Sequence, residues 1–142
     1  MGYEGVSITV SPYEESAYTP ILDGLKEFNR GVIGEIGNDR LVVVAKDEAG
    51  ATVGGSFGAL HLGWLRVDVL WVAESYRGKG LGSAILAEIE REGLARGASR
   101  AMLDTFQFQA PEFYKRCGYV EYGRIKDFVQ GYDRLYLEKK LA

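Results

Sequence analysis

The chain has 142 residues, a net charge of −3 and one cysteine, Cys117. That length suits a single domain, residues 1–142, burying roughly 68% of its unfolded surface, and one cysteine excludes both an intramolecular disulfide and a cysteine-cluster zinc site. A hydrophobic share of 46% excludes a disordered chain, no apolar run approaches the ~18 residues of a membrane span, and the mild acidity argues against nonspecific nucleic-acid binding.

No basic-then-apolar leader opens the chain, so a cytoplasmic setting is expected. Val6, Ile8 and Val10 alternate with Ser7 and Thr9, which predicts a short strand ended by Ser11-Pro12. Ser16 to Arg30 reads as a helix with Ile21, Leu25 and Phe28 on one face. Leu41–Ala45 and Thr52–Leu60 predict two strands joined by Asp47-Glu48-Ala49-Gly50. Trp64–Val72 predicts a longer strand, with Trp64, Arg66, Asp68, Leu70 and Val72 on one face and Leu65, Val67, Val69 and Trp71 on the other. A glycine-rich loop follows, then a helix from Leu81 to Arg96 stopped by Gly97. Arg100–Thr105 reads as a strand and Pro111–Arg116 as a short helix with proline in its first turn. Tyr119–Arg124 and Tyr132–Glu138 close the chain as strands, joined by a loop from Ile125 to Gly131. The fold class is α/β, a single mixed domain.

The loop is Arg77-Gly78-Lys79-Gly80-Leu81-Gly82, set between a strand and an amphipathic helix. Glycine lets the backbone approach a ligand without a Cβ in the way. The helix start points free N–H groups and its positive dipole end at an anion, and Arg77 and Lys79 add charge. A pyrophosphate or phosphate is the natural guest. The Rossmann fingerprint needs Gly or Ala where this chain has Ser83, and the P-loop spacing is absent. A glycine-rich turn without a ligand is the alternative. His61 and Cys117 are each the sole residue of their kind, so no metal is expected, and Cys117 reads as a small hydrophobe.

The run from Arg77 to Gly82 resembles the Arg/Gln-x-x-Gly-x-Gly/Ala motif of the GCN5-related N-acetyltransferases, the GNAT superfamily. The resemblance extends upstream to Val67–Val72 and downstream to Phe113-Tyr114-Lys115-Arg116-Cys117-Gly118-Tyr119. It implies a mixed sheet flanked by helices, with two central parallel strands that splay apart, here near Trp64–Val72 and Arg100–Thr105. It also implies acetyl-coenzyme A as cosubstrate, lying in that V. Backbone groups of Leu70, Trp71 and Val72 would pair with the pantetheine arm. Val72 N–H would polarise the thioester carbonyl. Arg77, Gly78, Lys79, Gly80, Leu81, Gly82 and Ser83 would wrap the pyrophosphate. Tyr114 matches the family's general-acid tyrosine, and Gln107 stands where relatives often carry an asparagine that contacts the cofactor.

The implied reaction is direct attack of a primary amine, of a small molecule or a peptide, on the thioester. Something must take the ammonium proton. Asp68 is the candidate base, a carboxylate in an apolar strand. Pairing of Asp68 with Arg66, a water chain, and Glu74 are the alternatives. Transfer of a longer acyl group and a non-catalytic coenzyme A sensor both remain open. Residues 1–29 carry five acids against the single Lys26; the resemblance places the acceptor beside the first helix, which favours a cationic amine, with ordinary surface charge as the alternative. Relatives are often dimers, and Phe128, Tyr132 and Tyr136 offer aromatics for a homodimer contact.

Overall fold

The computed structural model describes residues 2–35 and 37–142. They form two compact units, Met1–Ile36 and Gly37–Ala142. The first unit holds one helix, α1 (Glu15–Ile33). The expected strand over Val6–Val10 does not form. Its alternation is real, but a strand needs a ladder partner to satisfy its backbone, and none pairs with it. No helix among the described residues is long and apolar enough to cross a membrane.

The second unit is a mixed six-stranded sheet with helices. Its elements are β1 (Asn38–Lys46), β2 (Thr52–His61), β3 (Trp64–Val72), α2 (Leu81–Ala95), β4 (Arg100–Phe106), α3 (Pro111–Arg116), β5 (Val120–Val129) and β6 (Tyr132–Lys140). A 3₁₀ turn, Glu74–Tyr76, follows β3. The strand order is β1-β2-β3-β4-β6-β5. Every neighbouring pair is antiparallel except β3–β4, which α2 connects as a crossover. The expected loop at Ile125–Gly131 is mostly strand. β5 runs to Val129 and turns at Gln130 and Gly131, both at positive φ, as a two-residue hairpin prefers.

One feature of β3 decides how the site is built. The β2–β3 ladder pairs Phe57 with Val69 and then Gly58 with Val67, which leaves Asp68 without a partner. This is a bulge. Strict alternation would put Leu70 and Val72 on the face of Trp64 and Arg66. The bulge resets it. Leu65 packs against Gly93 of α2, and beyond the bulge Val72 meets Gly82 of α2. Leu65, Val67 and Val72 therefore all serve the α2 face, while Val69 and Trp71 turn to the other. Only glycine fits opposite the bulge, because a Cβ on Gly58 would lie 1.9 Å from the Arg66 carbonyl oxygen. Gly58→Ala should cost about 3 kcal/mol or more in urea unfolding, since the ladder must open to admit the methyl.

The core lies between α2 and the sheet. Leu65, Ile89, Ala101 and Leu137 are fully excluded from solvent. One ionic group is built into it. Glu90 of α2 accepts hydrogen bonds from the Tyr119 hydroxyl (2.7 Å) and from Lys139 Nζ (2.8 Å). Both carboxylate oxygens are thus satisfied, as a buried charge requires. Burial, and then the bond to Glu90, pushes the Tyr119 hydroxyl well above its ordinary pKa.

Candidate active site

β3 and β4 pair over only three rungs, Trp64↔Arg100, Leu65↔Ala101 and Arg66↔Met102. Beyond them each strand keeps its outer neighbour. β3 stays on β2 as far as Val72, and β4 stays on β6 as far as Phe106. The gap that opens between them is a cleft of about 850 Å³. Its floor is backbone. Ala73 N–H donates to Val53 O (2.8 Å), toward β2. Strand alternation then turns Leu70 and Val72 N–H the other way, into the gap. Trp71 differs from expectation here, because the same alternation turns its backbone groups toward Gly55 of β2, although the residue lines the cleft.

One wall is the glycine loop. Gly78 (φ 73°) and Gly80 (φ 84°) both take left-handed backbone, which L side chains resist. Gly80 is the N-cap of α2 and no side chain caps that helix start. The first closing bond is Ala84 N–H to Gly80 O (3.1 Å), so Leu81, Gly82 and Ser83 N–H lack intrahelical acceptors. The first turn of α2 holds no acid, and Arg77 and Arg116 stand on the wall. Arg77 Nε donates to Val72 O (2.9 Å), which fixes the guanidinium at the mouth of the strand. This donor set fits a polyanion such as the pyrophosphate of acetyl-coenzyme A. Lys79 and Leu81 are not part of the wall, and Lys79 Nζ sits 5.7 Å over the Tyr76 ring.

A second wall is α3, whose Phe113 lies against Gly82 of α2. Tyr114 is half-buried, edge-on to Phe113 (5.1 Å) and to Tyr119 (6.0 Å). Burial, with Cys117 close by, raises its pKa to about 12. The hydroxyl thus remains a proton donor across the neutral and mildly alkaline range. A group acting as an acid loses its effect as pH rises through its pKa. The alkaline fall in kcat attributable to Tyr114 should therefore come near pH 12, as the tyrosine's pKa does, and not near the ordinary tyrosine value of about 10. A pH–kcat profile measures this. Cys117 Sγ lies 3.9 Å from Ser83 Oγ, joining α3 to α2 across the cleft wall.

Gln107 lies outside the cleft. Its backbone N–H donates to Asp133 O (2.8 Å), and its side-chain oxygen accepts from Asp133 N–H (3.0 Å). This clasp ties the end of β4 to β6 and spends the amide that the resemblance assigned to the cofactor. Gln109 lines the cleft instead, its carbonyl oxygen accepting from Thr105 Oγ1 and Phe106 N–H. The sequence signal at 107 and 109 is the same residue type two positions apart, and nothing local separates them. Asp104, Thr105, Phe108 and Arg116 also line the cleft and were not singled out from sequence. Asp68 lines it too, with its carboxylate held by Arg66 at 2.7 Å. Glu74 is exposed and off the wall.

The site joins an uncapped helix start behind a glycine loop, a splayed parallel pair and a half-buried tyrosine. Residues 38–121 match the family model described as an acetyltransferase (GNAT) domain. The chain is 31% identical over 127 residues to an acetyltransferase of Agrobacterium fabrum, covering 89% of this chain and 93% of that protein. It is 39% identical over 95 residues to a blasticidin-S acetyltransferase of Streptomyces morookaense, covering 66% of this chain and 70% of that one. A crystal structure of an acetyltransferase from Bacillus cereus superposes with a TM-score of 0.87 at 34% identity, over 96% of this chain and 98% of that one. The chain belongs to the GNAT acetyltransferase family. It is an N-acetyltransferase with acetyl-coenzyme A as its cosubstrate.

Proposed function

We propose that the protein acetylates a primary amine of a small molecule by direct attack on the thioester. The cleft carries the reading, because it joins a basic glycine-loop wall to a half-buried tyrosine and a backbone edge without strand partners. The 39% identity to a blasticidin-S acetyltransferase favours a small molecule over a peptide.

In this mechanism Arg77, Gly78, Gly80, Gly82 and Ser83 hold the pyrophosphate with backbone N–H groups and a fixed guanidinium. Leu70 and Val72 extend strand-like pairing to the pantetheine arm. Val72 N–H donates to the thioester oxygen as charge develops on it. Tyr114 gives its proton to the departing thiolate sulfur. The amine reaches the thioester as the neutral base, its proton passing to Asp68 or to water. Arg66 holds the Asp68 carboxylate in place at the cleft.

An amine screen with acetyl-coenzyme A, reading thiol release, tests the proposal. Release that depends on a small-molecule amine is expected. Release with N-terminal peptides alone would refute the small-molecule reading.

A further inference from the structure

Two residues past the last shared rung, Arg66↔Met102, both strands carry an aspartate, Asp68 on β3 and Asp104 on β4. They stand at the narrow end of the V. Leu103 and Thr105 are buried, so alternation turns Asp104 away from the core, to the face of the sheet opposite α2. The cleft therefore passes through the sheet. Its α2 side is basic and fits a polyanion, and its other side carries Asp68 and Asp104, each paired with an arginine.

The aspartates line the gap and their arginines, Arg66 and Arg134, do not. Arg134 is itself fixed. Its guanidinium lies over three rings, Phe128 (5.1 Å), Tyr136 (5.5 Å) and Phe106 (5.7 Å). Its Nε and Nη2 both donate to Asp104 Oδ1, at 3.0 and 2.8 Å. Asp104 Oδ2 has no hydrogen-bond partner among the described residues. One carboxylate suffices to receive the proton of a reacting amine. The second, Asp104, is oriented by Arg134 and open on one oxygen.

We infer that the acceptor carries a second cationic group beside the amine that is acetylated, and that Asp104 binds that group, with Arg134 as its positioning residue. The inference rests on the acetyl-transfer reading above. It assigns the aromatic cage of Phe106, Phe128 and Tyr136 a purpose, which is to aim Asp104 through Arg134.

The test compares acceptors matched except for the second charge. They are 1,4-diaminobutane with butylamine, 1,3-diaminocyclohexane with cyclohexylamine, and lysine amide with norleucine amide. The dicationic members should show an acceptor KM at least about tenfold lower, the size expected of one oriented charge pair. Asp104→Asn should erase that preference while calorimetric affinity for acetyl-coenzyme A stays within about twofold. Arg134→Lys keeps the charge but loses the two-donor grip, and should weaken the preference without changing acetyl-coenzyme A affinity. Equal KM values within the pairs, or an Asp104→Asn enzyme that still prefers the dications, would overturn the inference. Should Asp104→Asn also lose acetyl-coenzyme A binding, Arg134→Lys decides, and an unaltered preference there overturns it. Absence of thiol release with every amine, with acetyl-coenzyme A bound normally, overturns the acetyl-transfer reading instead, so the two failures have different signatures.

Discussion

Tyr114→Phe should lower kcat about a hundredfold or more while leaving the KM for acetyl-coenzyme A within about twofold. The substitution removes one oxygen from a ring that Phe113 and Tyr119 hold edge-on, so the packing survives. In the proposed mechanism what is lost is a proton donor to the thiolate, a contribution made only as the sulfur leaves. Uniform binding is untouched, and the effect falls on kcat. The remaining activity should track the thiol's own basicity, because water must now supply the proton. Equal kcat in the two enzymes would remove Tyr114 from the reaction.

Gly80→Glu should reduce acetyl-coenzyme A affinity by a hundredfold or more in calorimetry. Two effects combine. Gly80 sits at φ 84° as the N-cap of α2, where a side chain costs about 1 kcal/mol in backbone strain. The larger effect is charge. A carboxylate about 5 Å from one phosphate charge, at an effective dielectric near 40, is repelled by about 1.7 kcal/mol, and a pyrophosphate roughly doubles that. About 3 kcal/mol corresponds to a factor above one hundred. Gly80→Ala separates the two, since it has the strain and not the charge, and should bind within about tenfold of wild type. If the glutamate variant binds as well as the alanine one, the pyrophosphate lies elsewhere.

The parts of the fold set by local chemistry were legible in the sequence. β3 and α3 fall where β-branched content and a first-turn proline predict them. The glycine loop announced itself because left-handed backbone at Gly78 and Gly80 requires glycine. The misses share a cause. Val6–Val10 alternates like a strand, but partners are a property of the whole sheet. The bulge at Asp68 depends on Gly58, ten residues back across a hairpin, so a correct period-two reading assigned Leu70 and Val72 to the wrong face. Gln107 was spent on Asp133, a residue far along the chain. Asp104 could not be paired with Asp68 before the parallel register was known, because a crossover of about thirty residues leaves no local trace of which rungs meet.

A six-stranded open sheet has two edges, and this one has four. Where β3 and β4 part, each gains an inner edge in the middle of the sheet. Bare edges elsewhere invite pairing with other chains. These lie in the cleft, flanked by Asp68 and Asp104, and in the proposed mechanism the hazard becomes a docking rail for the pantetheine arm. The rail should be visible in hydrogen–deuterium exchange. Leu70 and Val72 amides should exchange quickly between the protected amides of Val69 and Trp71, and slow when acetyl-coenzyme A is added. The sheet is left incomplete at its centre, and in the proposed mechanism the ligand arm completes it for the length of one catalytic cycle.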